Sequence, residues 1–419
     1  MNRTLILLTS GFPFFVSEGF LRDEIFVASD YFDRILIFAV NDKFEESLPL
    51  PTNVTAYQIR EKSCTILKAI NAFKYLFPRH ESWKLLKENI NTNFKMKLYY
   101  SYIKGLAEKT YSKVYKTIHN INFETDEQIT LYSYWLNDLA YTAIKLKNTI
   151  FKNHQVKIVS RAHGGDLYEE SNKMGFYPLK LYNIKYVDKV YACSLNGTHY
   201  LQDKFPEYAN KIECRYLGSH DYGMQQIKPS GQFTIVSCSF CVPVKRINLI
   251  IDSLALCTSG RKIKWIHLGD GILYDTLKKY AGEKLNNIID FEFYGRLRND
   301  EVIDFYKNHY IDLFINTSRS EGVPFSIMEA MSFGIPVIAT DVGGTRELVN
   351  ENVGCLLKKD FHSEELVNKI MYFANMTEDG IEELRKTVRN QWNKSFNSLK
   401  NYNDFYQKLQ LLWHVDNNG

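Results

Sequence analysis

The sequence predicts an α/β protein built from two Rossmann-like domains, each around a mostly parallel sheet, the two facing a central cleft. Three observations predict this. Short apolar runs alternate with helical segments in both halves of the 419-residue chain, the pattern of parallel sheets covered on both faces. A stretch at 218–231, GSHDYGMQQIKPSG, is polar and rich in Gly, Pro and Ser, as a linker would be. The Gly-rich and charged motifs fall just after apolar runs, where parallel-sheet proteins bind ligands.

The first half opens with an apolar run, Leu5–Thr9, then a loop at Gly11–Gly19 and a helix at Phe20–Ser29. The opening run lacks a small-residue cleavage site and reads as a buried strand rather than a signal peptide. Further strands are expected at Arg34–Val40, Ile129–Tyr134, Lys157–Ala162, Lys189–Cys193 and Lys211–Tyr216, with residues 62–118 mainly helical. In the second half the alternation tightens. Strands are expected at Phe233–Cys238, Lys264–Leu268, Ile289–Tyr294, Leu313–Asn316 and Pro336–Thr340, with helices between them.

Composition bounds the protein further. A hydrophobic fraction of 45% with 24% charged residues is that of a soluble globular chain, and no apolar run reaches bilayer length. Seven cysteines, an odd number, argue against a disulfide framework. Cys238 and Cys241 form a C-x-x-C pair, but without a second pair they read as small apolar side chains in a reducing cytoplasm. Charge is uneven. Residues 60–116 hold thirteen Lys/Arg against four Asp/Glu, or +9, whereas the whole chain is +4. Aromatics such as Phe73, Trp83, Phe94 and Tyr99 lie among these bases. The segment fits a face on an anionic membrane, and equally a solvated Lys-rich face with aromatics in the core. No nucleic-acid module is present.

The most informative stretch is 316–350, NTSRSEGVPFSIMEAMSFGIPVIATDVGGTRELVN. It reads as a Ser-rich loop, a helix, a strand and a Gly-rich loop, with Glu321 in the first loop and Glu329 on the helix. Pro324 suits an early helical position, where its missing N–H is no loss. The Gly322–Phe325 helix start suits an anion such as a diphosphate. A carboxylate at Glu329 can accept two hydroxyl hydrogen bonds, as a ribose diol offers.

Two glutamates separated by seven residues and followed by a Gly-x-Pro-Val-Ile-Ala-Thr strand resemble the donor-binding motif of retaining GT-B glycosyltransferases of family 4. The resemblance spans most of the chain and is strongest over 232–350. It implies that Glu321 contacts the donor sugar, that Glu329 holds the ribose, and that Gly322, Val323, Pro324 and Phe325 form the diphosphate-binding turn. Lys245, in Ser237-Cys-Ser-Phe-Cys-Val-Pro-Val-Lys-Arg246, matches a family lysine that grips the diphosphate. Phe240 stands where the family has an arginine, and Arg246 replaces a glycine. Arg246 or Arg296 is a candidate substitute for the missing bidentate contact.

Other motifs resemble family features more locally. Gly11–Gly19 resembles the loop that closes over the reacting centre, and Phe12, Pro13, Glu18, Phe20 and Glu24 fit the pattern of one subgroup. Gly11 is accordingly a donor-binding candidate. His163, ending the strand Lys157–Ala162, corresponds to a histidine near the donor sugar, with Asp166 as its orienting partner or as an acceptor ligand. Gly269 and Gly271 resemble a G-x-G turn near the nucleotide, and Tyr294-Gly295-Arg296 lies where the family places the base.

The implied protein has an N-terminal acceptor-binding domain at 1–222 and a donor-binding domain at 232–395. A C-terminal helix at 396–419 crosses back to the first domain. The implied activity is a hexosyl transfer of the EC 2.4 type. It moves sugar from a nucleotide sugar to a hydroxyl of a glycan or lipid-linked glycan, with retention and without metal or other cofactor. Surface polysaccharide synthesis at the cytoplasmic membrane face is the expected setting. The alternative is a non-catalytic nucleotide-sugar binder of the same fold. An NAD oxidoreductase is disfavoured because the first strand leads into Ser10-Gly11-Phe12-Pro13, not Gly-x-Gly-x-x-Gly.

Overall fold

A computed structural model describes residues 2–15, 18–41, 47–59, 81–89, 93–227, 231–257, 262–286 and 288–414. The chain forms two compact units. One comprises 1–215 together with 402–419, and the other comprises 216–401.

The first unit is built on a seven-stranded sheet. Its strands are β1 (Arg3–Thr9), β2 (Arg34–Val40), β3 (Val54–Ile59), β4 (Gln128–Ser133), β5 (Gln155–Ala162), β6 (Lys189–Ala192) and β7 (Ile212–Cys214). Their order is β3-β2-β1-β4-β5-β6-β7, and all pairings are parallel. β1 is buried from Thr4 to Thr9, as expected of a central strand covered on both faces. β3 escaped the sequence reading because it is an edge strand of mixed polarity, VTAYQI, buried fully only at Ile59. Of the 60–116 segment, helices occupy Glu81–Asn89 and Phe94–Ile118. The expectation for 60–80 lies outside the described residues.

Four elements of this unit meet in one buried network. Glu24, on the helix Leu21–Ala28, accepts from Tyr132 Oη at 2.8 Å and from Arg161 Nη2 at 3.2 Å. Arg161 Nε donates to Tyr132 Oη at 2.6 Å, and Nη1 donates to the Arg215 carbonyl at 2.8 Å. The guanidinium lies 4.4 Å from the Phe405 ring centroid. Tyr406 Oη reaches Glu24 at 3.4 Å. Tyr402, Phe405, Tyr406 and Leu409, all on the helix Ser398–Leu411, are buried in the first unit.

The second unit has six strands: β8 (Phe233–Cys238), β9 (Ile263–Leu268), β10 (Asp290–Phe293), β11 (Leu313–Asn316), β12 (Val337–Thr340) and β13 (Gly354–Leu357). They run parallel in the order β10-β9-β8-β11-β12-β13. Successive strand residues feed opposite cores. Ile235, Ile315 and Ile338 join one cluster, while Val236, Phe314, Val337 and Ala339 join the other. This is the period of two that a sheet covered on both faces requires. β13 is another short edge strand that the apolar pattern did not signal.

The stretch read as a linker is partly bonded into the second unit. Ser219 pairs with Asn397 in a parallel bridge, and Trp392 Nε1 donates to Ser219 Oγ at 2.8 Å. Gln225 Nε2 donates to the carbonyls of Tyr306 and His309, each at 2.7 Å. The division between units falls after Arg215, ahead of this polar stretch.

Candidate functional site

The candidate residues gather into two clusters, one in each unit. In the first unit, Gly11 follows β1 and His163 follows β5. Glu18 is buried and organises the loop after β1. Its carboxylate accepts from the backbone amides of Ser10 (3.2 Å), Gly11 (2.8 Å) and Phe12 (2.9 Å). It also accepts from Trp135 Nε1 at 2.6 Å. The Gly11 amide is therefore occupied by an internal carboxylate.

Trp135 in turn packs on His163, with ring centroids 4.6 Å apart. Both ring nitrogens of His163 face protein groups. Nε2 lies 2.9 Å from the Tyr134 carbonyl, and Nδ1 lies 3.3 Å from Cys193 Sγ. A carbonyl can only accept, so Nε2 carries the proton and Nδ1 accepts from the thiol. Burial, and then the Arg161 charge, push the His163 pKa down to about 3, so the imidazole is neutral at physiological pH. Asp166 orients this residue through its backbone. Its carboxylate accepts from the His163 amide at 2.7 Å and from the Leu136 amide at 2.6 Å.

In the second unit the cluster forms beyond β8, β11 and β12. Lys245 Nζ lies 2.6 Å from Glu321 Oε1, and Asn316 Nδ2 donates to the same oxygen at 3.3 Å. A polar cavity adjoins this pair, lined by Ser237, Ser239, Lys245, Asn316 and Ser318 among others. Pro324 is the N-cap of the helix Phe325–Ser332, one position earlier than a first helical residue. Glu329 sits on that helix with 4% exposure. Asn299 Nδ2 donates to its Oε1 at 2.5 Å. Burial drives its carboxyl pKa up to about 7, against the lowering effect of Asn299.

Backbone contacts fix these loops. Gly343 has φ 55°, and a Cβ there would collide with the Glu321 carbonyl. Gly344 N donates to the Gly322 carbonyl at 2.7 Å. The glycine pair after β12 thus lets one loop close against the loop that carries Glu321. Gly269 serves the neighbouring loop in the same way. Its φ is 141°, and a Cβ would strike the Ser239 carbonyl. Cys241 N bonds to the Asp270 carbonyl and Leu273 N to the Cys241 carbonyl, both at 2.9 Å. Gly271 and the C-x-x-C loop are held together this way. Cys238 and Cys241 are free thiols, and Cys241 Sγ lies 3.3 Å from His267 Nε2.

The arginine candidates separate. Arg246 has φ 50° and directs its guanidinium into the protein. It donates to the carbonyls of Thr317 (2.8 Å), Ser318 (3.3 Å) and Lys359 (2.6 Å). It is a loop tie, and these bonds occupy the face a bidentate phosphate contact would need. Arg296 is exposed in the turn after β10, next to Gly295, whose carbonyl accepts from Gly269 N at 3.0 Å. Phe240 is 68% exposed. Val323 and Phe325 are half-buried beside Pro324. Sequence reasoning missed Asn299 and Asn316. Asn299 is 30 residues from Glu329, and no local pattern joins them.

A domain with these features has known relatives. Residues 223–393 match the family model of glycosyl transferases group 1. The chain is 33% identical over 147 residues to an uncharacterized glycosyltransferase of Methanocaldococcus jannaschii, spanning 35% of this chain and 38% of that protein. It is 40% identical over 85 residues to the O-antigen biosynthesis glycosyltransferase WbnH of Escherichia coli, spanning 20% of this chain and 22% of that protein. Anabaena HepE, solved in complex with UDP and glucose, superposes with a TM-score of 0.66 at 19% identity. That likeness covers 98% of this chain and 100% of HepE. The two parallel-sheet units are those of the GT-B fold.

Proposed function

We propose that the protein is a retaining glycosyltransferase of the family 4 type. In this reading it moves a hexosyl group from a nucleoside-diphosphate sugar to a hydroxyl of a glycan or lipid-linked glycan. The observation that carries it is the Lys245–Glu321 pair beside a polar cavity, with buried Glu329 eight residues on. The group 1 domain match and the UDP and glucose in the HepE structure support a nucleotide sugar as the ligand. The name of WbnH supports a place in surface polysaccharide synthesis.

The chemistry follows from charge. The bond between the anomeric carbon and the diphosphate oxygen breaks, and a bond to the acceptor oxygen forms on the same face. The acceptor proton passes to the leaving diphosphate. Negative charge developing on that group is stabilised by Lys245 and by backbone amides near Gly322–Phe325. Lys245 must then exchange its Glu321 partner for phosphate, which frees Glu321 to hold sugar hydroxyls. Glu329, once ionised, accepts from the ribose diol. His163, in the first unit, stays neutral in this reading and does not serve as a titrating group. The reading requires no metal or cofactor. It places the work at the cytoplasmic membrane face, with the basic 60–116 segment toward anionic lipid.

The test is a thermal-shift titration with UDP-, GDP-, ADP- and dTDP-sugars, followed by donor hydrolysis in the same samples. Stabilisation by one nucleotide class is expected through mass action, together with slow release of free sugar. Stabilisation without hydrolysis or transfer would favour the second reading, a non-catalytic nucleotide-sugar binder. The observation favouring that reading is the inward-turned Arg246 beside an exposed Phe240. No stabilisation by any donor sinks both. Failure to bind anionic vesicles at low salt would remove the membrane assignment alone.

A further inference from the structure

We infer that Arg319 is the second phosphate-binding cation of this site. The inference rests on the nucleotide-sugar reading above and deepens it. It starts from a charge count around the cavity beyond β8 and β11. The cavity wall offers Ser and Asn side chains and one cation, Lys245. That cation is already matched by Glu321 at 2.6 Å. Arg246 lies next in sequence, but its guanidinium donates to three backbone carbonyls. A diphosphate entering here meets a lysine already paired with a carboxylate, so its charge calls for a further cation.

Arg319 meets that need. It follows Ser318 of the cavity lining and precedes the Glu321 loop by two residues. Its backbone amide donates to the Val244 carbonyl at 2.7 Å, which ties it to the residue just before Lys245. Its side chain is exposed, and it has no acidic partner among the described residues. Its charge is felt by Arg246, whose pKa is lowered chiefly by burial and in part by Arg319. Of the two arginines beside Lys245, one is committed to the protein and the other is free to turn toward the ligand. A planar guanidinium suits bidentate contact with a phosphate, which an ammonium does not make.

The experiment compares wild type, R319A and R319K by calorimetric titration with UDP, GDP, ADP and dTDP, and with the matching nucleosides. Wild type is expected to bind one diphosphate class. R319A is expected to weaken that binding by roughly tenfold to a hundredfold, as loss of a charge-assisted pair implies. R319K is expected to recover part of the loss, and binding of the nucleoside alone should be unchanged. The salt dependence of diphosphate binding should also flatten in R319A. Wild-type diphosphate binding that R319A leaves intact overturns the inference and spares the nucleotide-sugar reading. An equal loss for diphosphate and nucleoside also overturns it, since that marks a disturbed loop. No binding of any nucleotide by wild type overturns the nucleotide-sugar reading itself, and this inference with it.

Discussion

Lys245 Nζ and Glu321 Oε1 stand 2.6 Å apart although 76 residues separate them in sequence. The lysine comes from the loop after β8 and the glutamate from the loop after β11, neighbouring strands in the sheet. The pair is 22% and 11% exposed, so its charges are only partly screened. K245A should therefore weaken nucleoside-diphosphate binding by about tenfold or more. E321Q should instead lower turnover while leaving nucleoside-diphosphate affinity within a few-fold. Separate measurement of Kd and kcat for the two variants checks the division. Equal effects on both quantities would contradict it.

In the proposed function, Glu329 is expected to make donor binding depend on pH. Its native pKa is about 7 against an ordinary 4.5. The native state keeps its proton between those values, where the unfolded chain has lost it. Its contribution to stability is therefore full below the ordinary value and lost as pH rises through about 7. Donor binding runs the other way, because a ribose diol donates to the ionised form. Nucleotide affinity should strengthen from pH 6 to pH 8, and E329Q should abolish this dependence. Calorimetry across that range, with thermal unfolding alongside, tests both signs.

His163 should leave no mark on the pH–rate profile near neutrality. Burial, and then Arg161, hold its pKa at about 3. A pH–rate limb near 6.5 that disappears in H163Q would refute the neutral, structural imidazole described above.

Gly343→Ala should cost activity more than stability. The substitution forces a side chain into left-handed backbone, a penalty of about 1–2 kcal/mol, and against the Glu321 carbonyl. Relief of that clash requires the Gly343 and Glu321 loops to move apart. Loss of donor affinity with only a modest fall in Tm is the expected result of binding and unfolding assays.

The Glu24–Arg161 pair should behave as a structural element. Both side chains are 0% exposed. E24A strands a buried guanidinium, and the expected loss is roughly 3–5 kcal/mol. E24Q, which keeps acceptors for Tyr132 and Tyr406, should lose less. Denaturant unfolding of the two variants gives the comparison.

The amino-acid sequence by itself determined the α/β class and eleven of the thirteen strands found among the described residues, and it singled out Lys245 and Glu321, which the structure brings into contact. Strand and motif signals are local. An apolar run reports a covered strand, and a Pro after a Gly-containing loop reports a helix start within a few residues. Tertiary structure alone decided what depends on partners distant in sequence. It turned Arg246 inward onto three carbonyls and occupied the Gly11 amide with Glu18. It buried Glu329 against Asn299 and brought Arg319 beside the Lys245 loop. It also added β3 and β13, edge strands whose pairing comes from a neighbour rather than from their own apolar pattern. A side chain's role follows from which polar groups reach it first, and that competition is settled only when the loops pack.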